Sequence, residues 1–284
     1  MVRIISDSTC DLSPMLISKY DITIIPLHVL LGDEEYEDGV NISPDQIYQW
    51  SEASRQTPKT SAPSIESAIQ CMKPFLDQGD ELICFSISES MSTSANTMRL
   101  AAAELGKEDM VTVINSANLS TGIGLLVIEA AIMAGQGIGR DKIKEQILRI
   151  IPLVRSSFVV DSMVYLRRGG RCSAITALAG SALRIHPEII VSEGSMIVGK
   201  KYRGKMDRVI IKYAEYLKPF LLHGKKDRVF ITHSGCSRQT IDLVRDYLHS
   251  LDYFDEILET RAGSVISSHC GPGTLGILYI DNPD

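Results

Sequence analysis

Apolar runs alternate with amphipathic segments along the first half of the chain. Residues 2–6 (VRIIS), 81–87 (ELICFSI) and 111–114 (VTVI) are short and mostly apolar, which is typical of strands buried in a parallel sheet. Residues 65–78 and 94–105, which lie between these runs, have the length and spacing of helices. Strands that alternate with helices predict βαβ units and an α/β fold with a mainly parallel sheet.

The second half of the chain has a different pattern. Residues 187–191 and 196–198 are apolar and flank Glu193-Gly194, which predicts a hairpin with a tight turn. The other predicted elements are helices at 174–183 (with Ser173 as N-cap), 207–222 and 237–251, and strands at 228–232, 257–260 and 273–280. We therefore expect an N-terminal α/β domain at residues 1–158 and a smaller C-terminal α+β domain at residues 159–284.

Three further segments are interpreted from local signals. Ser43 followed by Pro44 predicts the first turn of a helix. The β-branched run at 22–31 predicts one strand, and residues 60–64 (TSAPS) predict a loop before the next helix. The apolar stretch at 121–139 contains Glu129 and several glycines, so we expect a buried helix and not a membrane span.

Composition and charge exclude several classes of protein. The formal net charge is −6, so the chain lacks the overall positive field of a dedicated nucleic-acid-binding protein. Asp7 and Asp11 occupy the place where a signal peptide would need its apolar core, and we expect a cytoplasmic protein. Six cysteines are scattered without C-x-x-C spacing, which favours reduced thiols over disulfides or a zinc site.

Motifs for nucleotide, metal or hydrolytic chemistry are weak. The run at 194–200 (GSMIVGK) has phosphate-loop spacing, but Lys201 replaces the Ser or Thr that would reach magnesium. Gly122 and Gly124 lack the third glycine of a dinucleotide fingerprint, and no G-x-S-x-G is present. His233 and His269 stand in different elements, which leaves a metal site unsupported.

Hydroxyl-rich segments are the more informative feature. Residues 60–64 and 88–94 (SESMSTS) precede predicted helices, where Ser and Thr serve as helix caps or, with free N–H groups, bind an anion. Polar clusters at 6–9, 86–94 and 115–120 all follow predicted strands and should converge at one sheet edge. The sequence leaves both interpretations open.

Three glycine-containing or basic segments complete the candidates. Residues 265–273 (VISSHCGPG) indicate a histidine followed by a tight turn. Residues 167–171 (RRGGR) fit a helix C-terminus with a glycine cap or a close-approach loop. Residues 200–205 (KKYRGK) are either a solvated hairpin end or a docking patch.

Taken in order, these segments resemble the DegV family, the fatty-acid-binding subunits of bacterial fatty acid kinase. The resemblance covers nearly the whole chain. Its motifs are SDSTCDL at 6–12, TSAP at 60–63, the serine-rich loop at 88–94, LRRGGR at 166–171, Arg203-Gly204 and HCGPG at 269–273. In the serine-rich loop, Thr93 stands where the family usually has glycine, and His186 stands where a lysine is common.

The resemblance implies a carrier that clasps one long-chain fatty acid between two domains. Thr60 and Ser92 would hold the carboxyl group with Ser61 beside them, and His269 and Arg171 would be neighbours of the head group. A separate ATP-dependent kinase subunit would phosphorylate the presented carboxylate, giving acyl phosphate for phospholipid synthesis.

The resemblance implies no catalytic residue, cofactor or metal in the carrier itself. From the basic residues at 200–205 we expect Arg203 and Lys201 to dock the kinase subunit, and transient contact with a membrane surface is compatible with this patch. The alternative that the residues leave open is a hydrolase of a lipid-like ester, with Ser92 or Ser268 as nucleophile and His269 as base.

Overall fold

The computed structural model describes residues 1–172 and 185–283. The predicted helix at 174–183 and its cap Ser173 lie outside these residues. The strands, in chain order, are β1 (Val2–Asp7), β2 (Ile22–Ile25), β3 (His28–Leu31), β4 (Glu34–Glu37), β5 (Lys59–Ser61), β6 (Glu81–Ser86), β7 (Val111–Asn115), β8 (Val154–Val159), β9 (Ile185–Ser192), β10 (Ser195–Arg203), β11 (Gly224–His233), β12 (Glu256–Arg261) and β13 (Leu275–Asp281).

The described α-helices alternate with the strands in the first half and cluster near the sheet in the second. They are α1 (Pro14–Lys19), α2 (Pro44–Ser54), α3 (Ile65–Leu76), α4 (Ser94–Glu104), α5 (Thr121–Gly135), α6 (Arg140–Ile150), α7 (Val164–Gly169), α8 (Met206–Leu221), α9 (Arg238–Ser250) and α10 (Ser264–Cys270). As predicted, Ser43 caps α2, and Gln46 completes a capping box behind Pro44.

A four-stranded parallel sheet forms the N-terminal half, in the order β2-β1-β6-β7. Its central strand β6 is buried along most of its length because helices cover both faces of a parallel sheet. The expected α/β fold with a mainly parallel sheet is confirmed. The carboxyl ends of β6 and β7 lead into the polar segments that the sequence placed at one edge.

Helix α5 lies between the two halves of the molecule. Ten of its residues are buried, and it packs against β1 on one side and against β8 and β13 on the other. The buried helix predicted at 121–139 is therefore present, although it ends at Gly135. Its apolar residues join both halves in one hydrophobic core.

The C-terminal half is built on a six-stranded sheet in the order β10-β9-β8-β13-β11-β12, in which only β11 and β12 pair in parallel. The predicted hairpin is β9–β10, and Glu193 (φ 49°) and Gly194 (φ 77°) have the positive φ values of a primed two-residue turn. The suggested division between residues 158 and 159 stays a prediction, and it falls inside β8.

Two expectations for the segments near the site are wrong. The single strand expected at 22–31 is two strands in different sheets, because Pro26 has no N–H to continue the ladder. The loop expected at 60–64 begins as β5, which pairs with β3 in a small sheet of order β4-β3-β5. The turn expected after His269 starts at Gly271, because α10 extends through Cys270.

Candidate functional site

A cavity of about 440 Å³ lies at the carboxyl edge of the parallel sheet, facing the C-terminal half. This volume is within the usual range for small-molecule sites. Its walls are Leu27, Thr60, Ser61, Ala62, Ile87, Glu89, Ser90, Met91, Ser92, Thr93, Leu119, Leu166, Arg171, Met196, Val265, Ile266, His269 and Cys270. The structure thus brings together all five side chains that the family resemblance implies for the head group: Thr60, Ser61, Ser92, Arg171 and His269.

One wall of the cavity is formed by α10 and β5. His269 stands on the last turn of α10, and its Nε2 lies 2.8 Å from the hydroxyl of Thr60. Thr60 is fixed by β5, where it pairs with Val29 of β3. Because a backbone ladder sets the position of Thr60 and a helix sets that of His269, this polar pair is held from both sides.

Burial governs the chemistry of His269. It lowers the pKa of the imidazole to about 4, and the positive charge of Arg171 acts in the same direction. The Nδ1 atom is buried without a hydrogen bond among the described residues. His269 is therefore neutral at pH 7, and it offers one donor and one acceptor nitrogen to its surroundings.

Gly169 allows this close packing. A Cβ atom at Gly169 would lie 2.3 Å from Nδ1 of His269, so any larger residue would displace the imidazole. The sequence marked residues 167–171 as a helix end or a close-approach loop, and both descriptions apply. Gly170, in the left-handed region at φ 69°, caps α7, while Gly169 makes room for the histidine.

Arg171 stands at the exposed mouth of the cavity. Its guanidinium donates to the carbonyl of Gly169 (2.7 Å), and its side chain remains accessible to solvent. A cation in this place raises the local potential around a bound anion.

The opposite wall is the loop between β6 and α4, residues 87–93. Ser92 is half-buried at its centre, and its hydroxyl accepts from the N–H of Ser94 (3.3 Å) at the start of α4. Thr93 has an ordinary backbone conformation (φ −89°), so the loop does not need the glycine that the family usually has there.

This loop is connected to the C-terminal half through the β9–β10 turn. The Ser88 hydroxyl donates to the carbonyl of Gly194 (2.7 Å), and the Ser90 hydroxyl donates to the same oxygen. Met196, which follows the turn, lines the cavity. Sequence reasoning missed this link, although the Glu193-Gly194 signal located the turn.

The rest of the cavity is aliphatic. Its apolar walls are Leu27, Ile87, Met91, Leu119, Leu166, Met196, Val265 and Ile266, with no Phe, Tyr or Trp among the described lining residues. A narrow apolar crevice continues past Leu119, Ile266 and Cys270 towards Phe158 and Leu278. An aliphatic body with hydroxyl, imidazole and guanidinium groups at one end fits an amphiphile with an anionic head.

The other candidate residues lie elsewhere or are engaged elsewhere. Lys201 and Arg203 are exposed on β10, outside the lining of the cavity. The Ser268 hydroxyl donates back to the carbonyl of Ser264 (2.7 Å) within α10, while the neighbouring His269 contacts Thr60. Ser268 is therefore engaged within its own helix.

Residues 1–172 and 185–283 contain no metal cluster, disulfide or membrane-spanning helix. Within these ranges no group of three or more His, Cys, Asp or Glu side chains could hold a metal ion. Across the same ranges, the cysteines form no disulfide. In that part of the chain, no helix combines the length and apolar character needed to cross a bilayer.

Comparison with known proteins gives consistent matches over the whole chain. A family model described as an uncharacterised protein of the DegV family matches residues 1–282. A DegV domain-containing protein of Deinococcus radiodurans is 31% identical over 277 residues, which are 97% of this chain and 97% of that protein.

Several solved structures share the fold at 25% identity or more, and two of them serve as examples. One, described as showing fatty acid binding by a DegV family protein from Thermus thermophilus, has a TM-score of 0.90 and 27% identity and covers 99% of both chains. The other is a stearic acid-binding protein from Eubacterium ventriosum, with a TM-score of 0.85 and 28% identity, covering 99% of this chain and 98% of that one.

Proposed function

Because the chain belongs to the DegV family, we propose that it binds one long-chain fatty acid in the cavity between its two halves. The acyl chain lies among the aliphatic walls, and the carboxyl group lies at Thr60 and Ser92, with Ser61, His269 and Arg171 around it. The observation that carries this proposal is the aliphatic cavity that ends at the Thr60–His269 pair.

The energetics favour such a ligand. Burial of about fourteen methylene groups at about 0.8 kcal/mol each gains roughly 11 kcal/mol before the costs of association. Aliphatic walls without a lining ring suit a linear chain better than a planar ligand. The polar groups at one end then decide the orientation of the chain, because a carboxylate without hydrogen bonds is costly to bury.

The Thr60–His269 pair supplies a donor to the carboxylate. With its pKa near 4, the imidazole is neutral, and in the tautomer that carries the proton on Nε2 it donates to the Thr60 oxygen. The hydroxyl proton of Thr60 is then free to point at the ligand. Arg171 adds a positive charge without entering the pair.

Native mass spectrometry of the purified protein, followed by organic extraction, tests the carrier function. We expect one fatty acid per chain. A protein that is empty and takes up no added fatty acid would contradict the proposal.

Variants test the site. Thr60→Ala and Ser92→Ala should each weaken fatty-acid binding by about tenfold, the order of one lost hydrogen bond to a charged group. Thr112→Ala is the matched control, since Thr112 is also a half-buried strand threonine but does not line the cavity. Unchanged affinity in both site variants would rule out the assignment.

The presentation of the carboxylate to a separate kinase subunit is the finer part of the proposal. The exposed residues Lys201 and Arg203 on β10 would dock that subunit, the product would be an acyl phosphate for phospholipid synthesis, and the site of action would be the cytoplasm. The carrier would perform no chemistry alone.

Charge reversal separates docking from binding. Arg203→Glu should reduce acyl-phosphate formation by the kinase subunit severalfold and leave fatty-acid affinity unchanged. Arg149→Glu on α6 is the control, because Arg149 is an exposed arginine on another element. Equal rates for Arg203→Glu and the wild type would refute the docking role.

A further inference from the structure

Two buried carboxylates meet at the N-terminus of α10, at the end of the helix opposite His269. Asp11 accepts from the N–H of Gly263 (2.8 Å), and Asp38 accepts from the N–H of Ser264 (2.6 Å). Asp11 and Asp38 are only 5% and 2% exposed. The carboxylates belong to two separate segments of the N-terminal half, and both reach the same end of one C-terminal helix.

Helix α10 has no cap of its own. Gly263 occupies the N-cap position and has no side chain to accept from the first free N–H groups. A Cβ atom at Gly263 would lie 3.1 Å from Asp11 Oδ1 and 3.1 Å from Asp38 Oδ1, so glycine gives both carboxylates room to approach. The two carboxyl groups thus accept from N–H groups that the helix itself leaves without partners.

The same small sheet contacts α10 at both of its ends. Asp38 directly follows β4, Thr60 lies on β5, and β3 pairs with both strands. Asp38 therefore fixes the first turn of the helix, and Thr60 contacts His269 on the last turn. The helical rise over this distance is only about 7.5 Å, so a shift at one end reaches the other almost undiminished.

We propose that Asp38, assisted by Asp11, is a positioning residue that sets the axial position of α10 and thereby places His269 against Thr60. The inference rests on the proposed fatty-acid site for its affinity readout. Its geometric content concerns the ligand-free protein and can be measured without a ligand.

Asp38 and Asp11 are themselves held by hydroxyl groups. Ser8 donates to Asp38 Oδ2 (2.9 Å), and Ser120 donates to Asp11 Oδ2 (2.5 Å). Ser8 and Asp11 belong to the SDSTCDL motif at 6–12, and Ser120 directly precedes α5. The SDSTCDL motif thus helps to position the carboxyl groups of Asp11 and Asp38, which accept hydrogen bonds from the N-terminus of α10 some 250 residues later.

The test compares variants of increasing severity. Asp38→Ala removes both acceptor oxygens, Asp38→Asn keeps an oxygen for the N–H of Ser264, and Gly263→Ala pushes on both carboxylates. Ser237→Ala is the matched control, since it removes the cap of α9, a helix that packs on α8, β11 and β12. Two readouts are needed: fatty-acid affinity, and the pKa and nitrogen shifts of His269 in the ligand-free protein from long-range ¹H–¹⁵N spectra.

Asp38→Ala should weaken fatty-acid binding by about tenfold, and the His269 pKa should rise from about 4 towards its ordinary 6.5. Asp38→Asn should stay within about threefold of the wild type, Gly263→Ala should lie between the two Asp38 variants, and Ser237→Ala should change neither readout. If Asp38→Ala does not fold, the affinity and the His269 spectra of Gly263→Ala test the positioning role instead.

Unaltered His269 spectra in Asp38→Ala or, failing that, in Gly263→Ala would overturn the positioning role. Equal losses in Ser237→Ala would also overturn it, because the effect would then be general destabilisation. A wild-type protein that binds no fatty acid would instead refute the proposed function, while the histidine spectra would still decide the positioning.

Discussion

On one side of the cavity, two buried carboxyl groups hold α10; on the other side, hydroxyl groups hold the loop at 87–93. Gly263 and Ser264 donate to buried Asp11 and Asp38, whereas Ser88 and Ser90 donate to one carbonyl of the β9–β10 turn. Asp11 and Asp38 are buried, whereas Ser90 is exposed and its hydrogen bond is open to exchange with water. We therefore expect the α10 wall to be the more rigid of the two and the serine loop to open more readily.

The largest expected effect comes from Gly194, which belongs to the more easily opened wall. Its φ of 77° suits glycine, and an added Cβ would lie 2.7 Å from the Ser88 hydroxyl oxygen. Gly194→Ala should therefore lower the free energy of unfolding by about 2 kcal/mol, combining backbone strain with the loss of a hydrogen bond. Denaturant unfolding measures the loss, and transfer of a fluorescent fatty acid to vesicles should be about tenfold faster.

Gly79→Ala is the control for this prediction. Gly79 also has a positive φ (81°), but an added Cβ would have nothing within 4 Å. In Gly79→Ala the free energy of unfolding should fall only by the cost of the left-handed backbone, about 1–2 kcal/mol, and the rate of fatty-acid transfer should not change. If both variants release the ligand equally fast, the turn does not hold the wall and the comparison fails.

The second prediction compares His269 on the fixed wall with His233 in the inner crevice. Burial lowers the pKa of each to about 4, so the folded state binds fewer protons than the unfolded state between pH 6.5 and 4. The stability from these two groups is complete above pH 6.5 and is lost as the pH falls through that window. The slope of the unfolding free energy against pH measures how many more protons the unfolded state binds. His233→Gln should reduce this difference by up to one proton in the same pH window.

Binding of a fatty acid should change the pKa of His269 but not raise that of His233. A bound carboxylate favours the charged form of His269 and should raise its pKa by about one unit, whereas His233, beside the apolar crevice, should not rise. Histidine ¹H–¹³C spectra over a pH series, with and without ligand, measure both values. A rise at His233 with none at His269 would mean that the head group lies at the opposite end of the cavity.

The two walls also differ in how well their structure can be predicted from the sequence. The β9–β10 turn is predictable because its chemistry is local: Glu193 and Gly194 carry the signal for a primed turn themselves. Helix α10 cannot be predicted from local sequence in this way. Its β-branched residues Val265 and Ile266 favour strands, and its N-terminus depends on acceptors from Asp11 and Asp38, which lie far away in the chain. Tertiary hydrogen bonds here override local propensity.

The candidate site, too, could not be identified from local sequence patterns alone. Hydroxyl-rich segments could be read as caps or as an anion site from the sequence, and only the resemblance to a family selected Thr60 and Ser92. The pairing of β3 with β5 sets the position of Thr60, and it joins segments that β4 and the whole of α2 separate along the chain. The role of Gly169 depends on contact with His269, one hundred residues later.

The smallest expected effect distinguishes the two serines of the loop. Ser88 is 1% exposed, whereas Ser90 is exposed, although both donate to the carbonyl of Gly194. Ser90→Ala should cost about 0.5 kcal/mol, because water replaces an exposed bond, and should speed fatty-acid transfer about twofold. Ser88→Ala should cost more, about 1 kcal/mol or above, since the Ser88 hydroxyl also accepts from the N–H of Ser90. The paired unfolding and transfer measurements check the order, and a larger effect at Ser90 than at Ser88 would show that the exposed bond, not the buried one, holds the loop against the turn.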